Sequence, residues 1–127
     1  MNRRLHVSAV LALGLLCANG CAAVLLGAGV AGGYAISKDS VRNTFDRSKE
    51  EAYRQSLAVA EDVGFVMTDD PAHGLIKVRV QNTNVTITIK QLTRKAVELK
   101  VSARNQVLLP EIDIAHDVYN KIMARLE

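Results

Sequence analysis

Three runs of strict alternation restrict this chain more than any other feature. In Leu75 to Gln81 the apolar Ile76, Val78 and Val80 alternate with Lys77 and Arg79. In Val85 to Gln91, Val85, Ile87 and Ile89 alternate with Thr86, Thr88 and Lys90. In the third run Val97, Leu99, Val101 and Ala103 alternate with Glu98, Lys100, Ser102 and Arg104. Successive side chains of a strand point to opposite faces, so each run reads as a strand with one apolar and one polar face. The breaks at Asn82-Thr83-Asn84 and Thr93-Arg94-Lys95 are too short for a crossover, which needs a dozen residues or more. The runs must therefore form an antiparallel meander with one wet face.

An apolar sheet face has to be covered. Ser48 with Glu51 three residues on is a capping-box signature. It predicts a helix over about Lys49 to Val63, with Ala52, Tyr53, Ser56, Leu57, Val59, Ala60 and Val63 on one side and Arg54, Glu61 and Asp62 opposite. Gly64 is a natural stop. A second helix is predicted from about Pro110 to Leu126. Pro110 suits a first helical position, Glu111 and Asp113 suit the positive end of the dipole, and Ile112, Ala115, Tyr119, Ile122 and Leu126 recur on one face. Val41 to Asp46 reads as a strand with Val41, Asn43 and Phe45 on one side. Phe65 to Thr68 reads as a short one, followed by a turn cluster from Asp69 to Gly74. The predicted architecture is an α+β two-layer sandwich in the order β-α-β-β-β-β-α. Its sheet has four to five mainly antiparallel strands, and both helices lie on one face.

The N-terminal region has a different character. Arg3 and Arg4 precede an apolar stretch from Val7 to Leu16, and small residues lead to Gly20-Cys21. These are the three parts of a secretory signal. The pattern resembles the bacterial lipoprotein lipobox, which implies cleavage after Gly20 and lipidation of Cys21. Cys17 would leave with the leader, so Cys21 would have no disulfide partner, and acylation accounts for an odd cysteine in a secreted chain. The expected organisation is a signal peptide over 1–20, a lipidated Cys and Gly/Ala-rich tether over 21–37, and a periplasmic domain over 38–127. A competing reading starts from the absence of Lys, Arg, Asp and Glu between Leu5 and Ser37. Such a run exceeds the roughly 20 residues that span a bilayer. Gly29 and Gly33 form a G-x-x-x-G pair, so an uncleaved bitopic protein could oligomerise through that helix.

Charge narrows the function classes. The whole chain carries a formal net charge of +3. Without its first twenty residues it keeps 14 basic and 13 acidic side chains. With no Trp and few aromatic residues as well, this is not the footprint of a nucleic-acid binder. Gly27, Gly29 and Gly32 match G-x-G-x-x-G, but no parallel βαβ series follows, so nucleotide binding is not expected. No cofactor or metal is expected either. His73 with Asp69 and Asp70, and Asp113 with His116 and Asp117, are the only groupings with candidate metal or acid–base chemistry. They read first as a solvated turn and a solvated helix face. A small hydrolase or metal protein would have to use them. No catalytic residues are assigned, and the chain is not expected to be an enzyme.

The outer face of the sheet is the best binding candidate. Lys77, Arg79, Lys90, Lys100 and Arg104 project from it, with Glu98 as their only acidic companion and Thr86, Thr88 and Ser102 between them. Edge-protecting, solvated lysines explain such a face. So does a surface for anionic partners such as phospholipid headgroups, lipopolysaccharide or an acidic envelope protein.

The text "GCAAVLLGAGVAGGYA", followed by "SVRNTFDRSKEEAYRQSLAVAEDVGF" and the alternating strands, resembles a family of small bacterial lipoproteins of unknown function. The resemblance covers nearly the whole chain. It implies lipidation at Cys21 and a lipid-anchored envelope location; Ala22 after that cysteine makes the outer membrane the expected address. It brings no catalytic residues.

Overall fold

In the computed structural model, residues 34–127 are described. Their elements are β1 (Ala35–Ile36), β2 (Ser40–Asp46), α1 (Lys49–Val63), β3 (Phe65–Asp70), β4 (Leu75–Val80), β5 (Thr83–Gln91), β6 (Ala96–Asn105) and α2 (Ile112–Leu126). The strands form one six-stranded sheet in the order β1-β2-β6-β5-β4-β3, and every neighbouring pair is antiparallel. The expected α+β sandwich is present with six strands instead of four or five. The extra strand is β1, which pairs Ala35 with Arg42 and Ile36 with Val41, inside the segment read from sequence as tether.

β3 to β6 form the meander by short hairpins. β2 then pairs with the far side of β6, so the β2–α1–β3 connection carries the chain from one side of the sheet to the other. α1 lies over β3, β4 and β5, and α2 lies over β2 and β6. Between the layers, Val41, Ile76, Val78, Val85, Ile87, Ile89, Val97, Leu99, Val101 and Ala103 meet Ala52, Tyr53, Val59, Ala60, Ala115, Val118, Tyr119, Ile122 and Leu126. Val118 was missing from the predicted apolar stripe.

The helix ends explain their own positions. Ser48 Oγ accepts from Glu51 N at 3.2 Å, satisfying one of the otherwise orphan donors of a first turn. Gly64 N donates to Ala60 O, and a Cβ built on Gly64 would lie 2.1 Å from Arg79 O. This glycine is required by close approach to β4, since its φ of −174° is ordinary extended backbone. α2 starts two residues later than predicted. Pro110 forms a β-bridge with Arg104, and Glu111 N donates to Ala103 O, so both residues serve the sheet first. The last carbonyl region of α2 is met by Arg47, whose Nε and Nη2 donate to Leu126 O at 3.2 and 2.8 Å.

Two strand boundaries also shift. β3 continues through Asp69 and Asp70, which were expected in the turn, and has a register irregularity between Val66 and Thr68. β5 begins at Thr83, and the β4–β5 turn is only Gln81-Asn82, with Gln81 at φ 54°.

Candidate functional site

The sheet face opposite the helices is built by the alternation that buries the core. On β4, Lys77 and Arg79 face out on either side of the buried Val78. On β5 and β6, Lys90, Lys100 and Arg104 also face out. Register then arranges them in cross-strand rows. Lys77, Thr86 and Ser102 share one row, and Arg79, Asn84 and Arg104 share another. Thr88, Lys100 and Arg42 share a third, and Lys90, Glu98 and Thr44 a fourth. All five predicted basic residues lie on this face.

Their company differs from the sequence reading. Arg42 joins the face, and its Nη1 lies 3.9 Å from Glu98 Oε2. Asp39 brings a second carboxylate. Arg104 donates through Nε (3.0 Å) and Nη2 to Asp39 Oδ2, while Ala103 N donates to Asp39 O at 3.1 Å. Ser37 Oγ donates to Asp39 Oδ1 at 3.4 Å. The alternation of Val41 could have placed Arg42. Nothing local to Asp39 points to Arg104, 65 residues away. Arg104 is thus committed to an intramolecular ion pair, and Lys77, Arg79, Lys90 and Lys100 carry the excess positive charge.

The hydrogen bond from Arg104 is the main reason that the Asp39 carboxyl is held below its ordinary value of 3.8; the Arg104 charge, Ser37 and Lys100 act in the same direction, against a desolvation penalty. A carboxyl whose folded-state pKa is depressed contributes stability above its unfolded pKa and loses it as pH falls through the folded one. Asp39 should therefore stabilise the fold above about pH 4 and cease to do so in stronger acid. Asp39→Asn is expected to flatten the acid limb of stability against pH, read by urea denaturation at a series of pH values below neutrality. An acid limb as steep as that of the parent protein would show that the ion pair contributes nothing.

Changing Lys77, Arg79, Lys90 and Lys100 to Gln is expected to shift stability by no more than about 0.5 kcal/mol each. Arg104→Gln should cost more than any of them, because it strands the Asp39 carboxylate. Equal urea midpoints for Arg104→Gln and Lys77→Gln would contradict that ordering.

The other singled-out groups do not converge. β3 reaches Asp70, so strand alternation sends Asp69 and Asp70 to opposite faces. Asp69 accepts from the Tyr53 hydroxyl on the helix side, and Asp70 Oδ2 lies 2.7 Å from His73 Nδ1. His73 lowers the Asp70 pKa by that bond. Burial, and then the bond to Asp69, push the Tyr53 phenol up. In α2, Asp117 pairs with Lys121 at 2.7 Å. His116 is half-buried instead of solvated. Its Nε2 lies 3.1 Å from the Tyr34 hydroxyl, and its ring is near-parallel to that of Tyr119 at 6.3 Å between centroids. Tyr119 in turn accepts from Asn43 Nδ2 at 2.7 Å. Among the described residues, no group of three His, Cys, Asp or Glu side chains is placed to hold a metal ion. No described helix is long and apolar enough to cross a membrane. Cys21, Gly20, Gly29 and Gly33 lie outside the described residues.

A family model described as "Protein of unknown function (DUF3568)" matches residues 4–104. No curated protein matches the chain. The match takes in most of the chain, from Arg4 to Arg104 on the outer sheet face, and the chain belongs to this family.

Proposed function

We propose that this DUF3568 member is a lipid-anchored cell-envelope protein, cleaved after Gly20 and acylated on Cys21. Its α+β domain would face the periplasm from the outer membrane and act as a small non-catalytic interaction or structural module. The observation that carries this reading is the layout Arg3-Arg4, Val7 to Leu16, Gly20-Cys21 ahead of a folded unit. A short apolar segment engages the bilayer transiently, small residues admit a peptidase, and the cysteine thiol accepts the lipid. The separation of His73, His116 and Asp117 into individual pairs supports a binding or structural module over an acid–base site.

The expected product is a mature chain beginning at a triacylated Cys21 in a diderm host, read by intact-mass spectrometry. Cys21→Ser should leave the full-length precursor. An unmodified Cys21 in a chain starting at Met1 would instead establish the bitopic form. Ala22→Asp is expected to move the protein from outer- to inner-membrane fractions in a host that sorts by that position. Wild-type protein sedimenting with inner-membrane markers would refute the outer-membrane address.

The proposed partner surface is the outer sheet face, and its partner is anionic. Binding of the chain to anionic vesicles or to an acidic envelope protein should weaken as salt rises, because exposed charges are screened beyond roughly 8–10 Å at physiological ionic strength. Lys77→Gln with Lys90→Gln and Lys100→Gln should lose that binding with the fold intact. Undiminished binding at low salt would remove the face from consideration.

A further inference from the structure

The β6–α2 connection presents three consecutive apolar side chains to solvent. Val107, Leu108 and Leu109 are 72%, 70% and 58% exposed. They do not belong to a loose loop. Asn105 Oδ1 accepts from Val107 N and Leu109 N at 3.1 and 3.0 Å, Leu108 N donates to Asn105 O, and Asn105 N donates to Leu109 O. Asn105 Nδ2 donates to Glu111 Oε1 at 3.2 Å. The loop's backbone donors are turned inward onto one asparagine, and its side chains are turned outward.

Leu108 has φ 64°, a conformation that L side chains adopt at a cost and that glycine adopts freely. Leu108 bears that cost where folding buries little of its side chain.

The sheet register shows what surrounds these side chains. One cross-strand row runs Phe65, Arg79, Asn84, Arg104 and then Pro110. With strands spaced about 4.8 Å apart, this row is on the order of 20 Å wide. Phe65, 73% exposed, stands at one side, and Pro110, next to Leu109, closes the other. Arg79 lies between, beside Arg104, whose charge is met by Asp39, and exposed Lys38 sits in the neighbouring turn. Apolar side chains at the margins with cations between them suit a lipid surface, where acyl boundary and phosphates lie a few ångströms apart in depth.

We propose that this end of the sheet, Val107-Leu108-Leu109 with Phe65, Arg79 and Lys38, docks on an anionic phospholipid surface. The proposal builds on the lipid-anchored reading. Residues 21–33, which precede the first described residue, reach at most about 45 Å when extended, so an anchor at Cys21 would hold the domain within reach of its own bilayer.

The chain contains no Trp, so one introduced indole reports its site alone. The test uses full-length Val107→Trp, Phe65→Trp and Lys95→Trp proteins. Lys95 lies in the β5–β6 turn, at the opposite end of the sheet. Each is mixed with phosphatidylethanolamine–phosphatidylglycerol vesicles bearing brominated acyl chains. Loss of emission at 107 and 65, with none at 95, is expected. Adding Leu108→Asp and Leu109→Asp to Val107→Trp should abolish the quenching, with circular dichroism unchanged. Unquenched emission at 107 and 65, or equal quenching at all three sites, overturns the proposal. So does a blue shift at 107 that grows with protein concentration without lipid, which would identify a second copy as the occupant. Mass spectrometry of the same samples keeps the two readings apart. Acylated Cys21 with unquenched Val107→Trp defeats the docking alone, and unmodified Cys21 with quenched Val107→Trp defeats the anchor alone.

Discussion

Leu99→Ala is expected to destabilise the folded domain by about 2–5 kcal/mol, the range for truncating a fully buried leucine. Leu99 lies in β6, between Asn43 of β2 and Ile89 of β5, and none of it is exposed. The cost within that range depends on how well neighbours can collapse into the space. Here they are held on both sides. The sheet fixes the backbone, and α2 is tied by the Asn43–Tyr119 bond and by Arg47 on Leu126 O. The upper half of the range follows. Domains of this kind have total stabilities of about 5–15 kcal/mol, so the substitution removes a large share. Urea denaturation followed by circular dichroism measures it, with Val107→Ala, at an exposed site, as a near-silent control. A loss below about 0.5 kcal/mol for Leu99→Ala, within the usual scatter of surface changes, would mean that the layers repack freely.

Gly74→Ala is the second large effect. Gly74 closes the β3–β4 turn at φ 64° and accepts from Ile89 N at 2.8 Å. A Cβ there would stand 2.1 Å from Ile89 O. Two costs combine. The left-handed backbone penalises an L side chain by roughly 1–2 kcal/mol, and displacing a sheet carbonyl costs about 1–3 kcal/mol more, as overpacking does. Gly64→Ala separates them, because Gly64 has the same 2.1 Å approach, to Arg79 O, without the positive φ. Gly74→Ala should therefore lower the thermal midpoint further than Gly64→Ala. Equal midpoints would show that the turn conformation contributes nothing to the difference.

Much of this fold was legible before any coordinates. The limits of α1 coincide with its sequence signals, Ser48 ahead and Gly64 behind, because a cap and a stop act within one turn of the chain. The inward rows of β4, β5 and β6 are those of the alternating runs, because side-chain parity is a property of each strand alone. The start of α2 was not legible. Pro110 is a good first helical residue, yet its place is taken by the bridge to Arg104, and a distant strand outweighs a local preference. Asp69 and Asp70 read as turn residues for the same reason. Pairing with Ile76 and Leu75 keeps them in the strand and sends them to opposite faces, which leaves Asp70 with His73 and takes Asp69 away to Tyr53.

The sequence by itself determined that two helices and the strands β2 to β6 form, to within a few residues, and which face of each is apolar. Backbone sterics and side-chain periodicity are local and leave their pattern in consecutive residues. It also determined that Lys77, Arg79, Lys90, Lys100 and Arg104 share one face. Only the tertiary structure decided that β2 adds to β6 and that β1 adds to β2. Backbone donors and acceptors are chemically alike in every strand, so the choice of neighbour rests on how both helices fit across the whole sheet. That choice brought Asp39 to Arg104, Tyr34 to His116, and Phe65 into one row with Arg79, Arg104 and Pro110. Residues far apart along the chain acquire common chemistry only when packing sets the order of the strands.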